Sequence, residues 1–137
     1  MKKFEYFEVT ADIGFRAYGK NLNEAFENAG LAIFNIISDT EDIDSKNEIS
    51  FEITSEDNVS LLYDYLEELL FYHEVEFMLF GEFHVEIDEN LHLKATIKGE
   101  TIDWDKHERK TEIKAITFHE MHVKKSDHVE LQAIVDL

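Results

Sequence analysis

A chain of 137 residues, 44% of them hydrophobic, is long enough for one domain spanning 1–137 with a substantial core, and too apolar to be read as disordered. Its 31 acidic residues against 13 basic ones give a net charge of −18. Such a surface repels phosphate backbones, so direct nucleic-acid binding is not expected, whereas metal cations or a basic partner protein are favoured.

There is no cysteine, which removes disulfides and thiolate zinc sites. No apolar run is long enough to span a bilayer, and the start, M-K-K-F-E-Y-F-E, lacks the apolar stretch of a signal peptide. No membrane association is expected, and a cytoplasmic location is.

Phe4–Glu8 and Ile13–Gly19 read as a first strand or hairpin. Ala11, Ile13, Phe15 and Ala17 alternate with Asp12, Gly14 and Arg16, which places Asp12 on the polar face. Asn21, with Glu24 three residues on, reads as a helix cap. Leu22, Ala25, Phe26, Ala29, Ile33, Ile36 and Ile37 then form a stripe at helical spacing. Gly30 inside that helix costs about 1 kcal/mol relative to alanine and marks a close-packing position.

Ser38–Lys46 is an acidic break, and Ile49, Phe51 and Ile53 alternate as a strand. Asp57 or Asn58 caps a second helix whose apolar face carries Val59, Leu62, Tyr63, Leu66, Leu69 and Leu70. Met78–Ile87 and Leu91–Lys98 predict a hairpin around Asp88–Asn90. Glu112–Val123, apolar on both faces around Ile116, reads as a long central strand, and Val129–Val135 as the last strand. The expected fold class is α+β: a two-layer sandwich, a mainly antiparallel sheet with two amphipathic helices on one face.

Asp136 has the non-core parity of the last strand and Asp12 that of an early one, so the two carboxylates converge if those strands are neighbours. With an oxygen from Leu137, the pair either offers donors of the kind that hard cations prefer or is simply a solvated pair of surface charges. Of the seven histidines, His119 and His122 fall on opposite strand faces, and His84 and His92 sit with Glu86 and Lys94, a cross-strand pairing pattern rather than a zinc site. The loop Asp103–Glu108 holds the only tryptophan, Trp104, which is either a packed anchor or a partner contact. Lys114, within E-I-K-A-I-T-F, either snorkels to solvent or stands as a cation beside Asp12 and Asp136. Glu68 lies among apolar positions of the second helix and by spacing alone is a surface residue. No P-loop, dinucleotide fingerprint or nucleophile-elbow motif is present.

T-A-D-I-G-F-R-A-Y-G at Thr10–Gly19, L-N-E-A-F-E-N-A at Leu22–Ala29, L-E-E-L-L at Leu66–Leu70, E-I-K-A-I-T-F-H at Glu112–His119 and the terminal V-D-L keep an order and spacing that resemble the archease family. The resemblance covers nearly the whole chain. It implies a non-catalytic protein that activates the tRNA-splicing RNA ligase, promoting its guanylylation and multiple turnover and broadening its nucleotide use. It also implies a calcium-type ion on Asp12, Asp136 and Leu137, and functional roles for Lys114 and Glu68. The family usually has a histidine before T-A-D, where this chain has Val9. Two other readings remain: a general chaperone of nucleic-acid-processing enzymes, and a small acidic metal-dependent hydrolase.

Overall fold

The computed structural model describes residues 1–137. In chain order the elements are β1 (Phe4–Val9), β2 (Asp12–Gly19), α1 (Leu22–Ile37), a short 3₁₀ turn (Thr40–Asp42), β3 (Asn47–Thr54), α2 (Asn58–Glu76), β4 (Met78–Ile87), β5 (His92–Thr101), β6 (Ala115–Lys125) and β7 (Val129–Asp136). The α+β class, the antiparallel pairing and the two amphipathic helices are as expected. The strands are divided between two sheets, β1-β2-β7-β6 and β3-β5-β4. Each helix touches both sheets: α1 packs on β2 and β4, and α2 on β6, β3 and β4.

The helices start where side chains satisfy free amides. Asn21 accepts the Glu24 amide at 2.9 Å, and Glu24 returns a bond to the Lys20 amide at 3.0 Å, a capping box shifted by one residue. Asp57, not Asn58, caps α2 through the Ser60 amide at 2.8 Å. Gly30 faces the Phe83 ring so closely that an added Cβ would lie 2.7 Å from it, so glycine lets α1 approach β4.

One core runs through the molecule. Phe26, Ile33, Leu62, Leu66, Phe83 and Ile116 are all buried in it, as their spacing predicts. Tyr65, not Tyr63, is the fully buried tyrosine of α2. Tyr63 instead stacks on the exposed Phe118 of β6, ring centroids 3.9 Å apart.

Two local expectations give way to geometry. Ala11 is not in a strand: it sits at φ 64° in the two-residue turn joining β1 to β2. Glu112–Val123 is not central: the strand runs from Ala115 to Lys125 on the edge of the four-stranded sheet, and β7 is interior. The residues before Ala115 are committed elsewhere. The Lys110 and Thr111 amides donate to the Ile37 and Ile36 carbonyls at 3.0 and 3.2 Å, closing the end of α1. The segment therefore crosses a helix end before it can join the sheet.

α2 ends without glycine. Phe77 takes the left-handed conformation at φ 55° and ψ 49°, a position where a bulky residue costs roughly 1–2 kcal/mol. Its carbonyl accepts the Ile102 amide at 2.8 Å.

The loop after β5 is held by a buried carboxylate. Glu100, whose side chain is 7% exposed, accepts from the Asp44 amide at 2.7 Å and from Lys106 Nζ at 2.6 Å, with His107 Nε2 at 3.1 Å. Burial alone would raise the Glu100 carboxyl; Lys106, the Asp44 amide and His107 outweigh it and hold it down to about 2.

Two measurements test this core. Leu66→Ala should cost on the order of 2–5 kcal/mol in urea unfolding, because it opens a cavity where α2 meets the core. Glu100 stabilises the fold fully above its ordinary value of 4.5, and that contribution is lost as pH falls through about 2. Urea midpoints measured between those two pH values should fall less steeply for Glu100→Gln than for wild type, starting from a lower value at pH 7.

Candidate functional site at the paired chain ends

The antiparallel register builds the site. Val9 is opposite Asp12, Asp12 is opposite Asp136, and Asp136 is opposite Ala115. Directly opposite residues project to the same face with Cβ atoms about 4.5–5.5 Å apart. The four side chains therefore form one row across the four-stranded sheet, with two carboxylates in the middle. This is the convergence that strand parity made conditional on β2 and β7 being neighbours.

Chain geometry explains why both aspartates end up there. The Thr10–Ala11 turn makes Asp12 the first residue of β2, and Asp136 is the last residue of β7. Asp12 is half-buried and Asp136 exposed. No cationic side chain lies within 4.0 Å of either. Two adjacent, uncompensated carboxylates repel one another mildly. Leu137 is half-buried against the core, fixing the chain end beside Asp136. With Asp12 and the β1–β2 turn it lines an open groove of about 620 Å³.

Lys114 is brought to this end through its backbone. Its amide donates to the Asp136 carbonyl at 2.8 Å, while its exposed side chain forms no ion pair. Glu68 is elsewhere, half-buried on α2. Burial, then the hydrogen bond donated to Glu68, push the Tyr72 hydroxyl up to about 12. The register brings together Asp12, Asp136, Leu137 and the Lys114 backbone; no hydrogen bond or ion pair joins Glu68 to them.

The donor set is oxygen only: two carboxylates and the Leu137 main-chain oxygens. No group of three His, Asp or Glu side chains converges there or anywhere else. Oxygen donors match a hard cation, whose other positions would fall to water or to a partner's groups. Val9 stands in the row beside Asp12, so it occupies the place from which a histidine would face the pair. The histidines are dispersed: His84 with Glu82 at 2.8 Å, His92 with Glu52 at 2.6 Å, His122 with Glu130 at 2.8 Å and His128 with Asp127 at 2.9 Å.

The tryptophan loop divides its two roles between residues. His107 is the packed anchor, with Nδ1 accepting the Asp103 amide at 3.0 Å. Trp104 stays 37% exposed beneath the Arg109 guanidinium, 5.0 Å from its ring centroid. Sequence reasoning passed over Phe77, which faces Trp104's loop across a cleft. Its signal was an aromatic residue at a helix end where glycine is usual.

The whole chain has close relatives. Residues 4–137 match the model of the "Archease protein family (MTH1598/TM1083)". The chain is 52% identical to the protein archease of Methanothermobacter thermautotrophicus and 49% identical to that of Sulfurisphaera tokodaii, with 100% of each chain covered. The solution structure of protein 1598 of Methanobacterium thermoautotrophicum superposes with a TM-score of 0.89 at 51% identity, again covering 100% of both chains. With a family model spanning all but the first three residues and full-length relatives near half identity, the chain belongs to the archease family.

Proposed function

We propose that this protein is a non-catalytic activator of the tRNA-splicing RNA ligase, raising the rate of ligase guanylylation and its turnover. The observation that carries the reading is the pair of unpartnered carboxylates, Asp12 and Asp136, side by side at an open sheet end of an archease-family chain. The net charge of −18 suits association with a basic RNA-binding protein and opposes competition for the RNA itself.

In this reading Asp12, Asp136 and Leu137 hold a calcium-type divalent ion. Bound there, such an ion would offset the repulsion between the two carboxylates and supply a hard Lewis-acidic centre at the sheet end. The chain's own groups do the rest. The β2–β7 register fixes the separation of the carboxylates, Leu137 anchors the end on the core, and the Lys114 amide holds the Asp136 carbonyl. Presented in this way, the carboxylates reach a partner's active site without rearrangement of the sheet. Lys114, held at this end by its amide, supplies an exposed cation without an ion pair, and Glu68 acts from α2.

Calorimetry with Ca²⁺ should show binding to wild type, none to an Asp12→Ala/Asp136→Ala double variant, and weaker binding after deletion of Leu137. Unchanged binding by the double variant would remove the ion assignment.

Single-turnover guanylylation with purified ligase, GTP and metal should be faster with wild type. Asp12→Ala and Asp136→Ala should lose most of that stimulation while keeping the wild-type circular dichroism and melting temperature, and Lys114→Ala should lose part. Added salt should weaken the effect, since steering between an acidic and a basic surface is screened beyond roughly 8–10 Å. Hydrolysis by the protein alone would point to a hydrolase instead, and protection of unrelated proteins from aggregation to a general chaperone.

A further inference from the structure

The cleft between the end of α2 and the tryptophan loop is the least expected feature of the surface. It has a volume of about 400 Å³, with Phe77, Trp104 and Ile102 among its apolar walls and Arg109 and Glu112 at its edge. Phe77 is 65% exposed, among the most exposed large hydrophobic residues of the chain. It also sits in a backbone conformation that disfavours it. Neither burial nor conformational preference explains a phenylalanine there.

The electrical setting is equally local. In a chain of net charge −18, the stretch from Ile102 to Lys114 carries four carboxylates and four cations. The cleft's own lining is balanced as well, Glu74 and Glu112 against Arg109 and Lys110 around the apolar Phe77, Ile102 and Trp104, in a strongly negative chain. An aromatic wall capped by a stacked arginine, with charged groups around the rim, is the anatomy of an interface hot spot. A second copy of this chain would bring a like-charged surface toward it, and a nucleic acid or anionic membrane would be repelled. A basic protein surface bearing an apolar anchor satisfies both the pocket and its surroundings.

The cleft is also tied to the carboxylate end. Glu112 lines it, and Lys114, two residues on, donates its amide to Asp136 at 2.8 Å. Two residues span at most about 7 Å of chain.

We infer that this cleft is a docking pocket that receives an apolar or aromatic side chain from a basic surface of the partner protein, holding that partner over the Asp12–Asp136 pair. The inference rests on the reading of the ligase as that partner. It separates holding, by Phe77 and Trp104, from action, by the carboxylates.

Trp104 is the only tryptophan, so the protein grown with 5-fluorotryptophan gives one ¹⁹F resonance from the cleft itself. Titrated with the ligase, that resonance should shift or broaden saturably over the concentrations that stimulate guanylylation. Phe77→Gly suits the left-handed position and should melt no lower than wild type. It should nevertheless raise the half-saturating concentration for stimulation at least tenfold while leaving the saturated rate unchanged. Asp12→Ala should do the reverse. Trp104→Leu, read by half-saturation alone, serves as a second variant. A Trp104 resonance unmoved at saturating ligase, or a half-saturation unchanged in both cleft variants, would overturn the inference. So would a concentration-dependent change without ligase, which would assign the cleft to a second copy. Failure of wild type to stimulate the ligase at all would instead overturn the functional reading beneath it.

Discussion

The pairing of β2 with β7 is the constraint on which the rest of the molecule depends. It joins residues more than a hundred positions apart, from Asp12 with Asp136 to Gly19 with Val129, in one unbroken antiparallel register. Closing so long a loop is entropically expensive, and the pairing is sustained because the inward side chains of both strands meet α1 in the common core. Once the register is set, strand parity leaves no freedom. Phe15, Ala17, Leu131 and Ala133 go inward, and both aspartates go outward at the same end of the sheet. A slip of one residue would bury the aspartates and expose the core set, so the stability of the fold enforces the geometry of the site.

The irregular stretch between β5 and β6 does the complementary work at the other ends of the elements. Its first residue, Ile102, bonds the Phe77 carbonyl; Lys110 and Thr111 close α1; Lys114 bonds Asp136. Thirteen residues without a strand or helix thus link both helix ends to the sheet. Glu100, Lys106 and His107 give the stretch its own buried ionic fastening, which is why it can hold a defined path with few apolar residues. The path carries Trp104 to the rim of a cleft and the Lys114 amide to the Asp136 carbonyl.

Much of this was legible from local chemistry. The caps at Asn21 and Asp57, the close contact at Gly30 and the β4–β5 hairpin each depend on residues near in sequence, and each has a characteristic signal. The parity of Asp12 and Asp136 was legible too, but not their adjacency, because pairing between the two chain ends is written nowhere locally. The same limit applies to the strands' division into two sheets. Glu112–Ile113–Lys114 looked like a strand by composition and was not, since its neighbours' amides are spent on α1. Ala11 fitted an alternating pattern and lies in a turn, because a tight hairpin needed a left-handed residue there and no glycine was available.

In a chain with 31 acidic residues, charge alone cannot single out a functional carboxylate. What distinguishes Asp12 and Asp136 is direct opposition on paired strands, where Glu48, Glu52, Glu82 and Glu86 each face a lysine instead. Glu100 is enclosed, accepts from an amide and a lysine, and is held far below its ordinary value; its task is complete within the fold. Glu5, Glu52, Glu82 and Asp127 are each engaged by a lysine or histidine. Asp12 and Asp136 face one another with no ion pair to either, and Lys114 reaches them only through its amide, which donates to the Asp136 carbonyl at 2.8 Å. The inner face of the sheet that carries the pair packs into the common core, and that burial outweighs a mild repulsion between two like charges on the outer face.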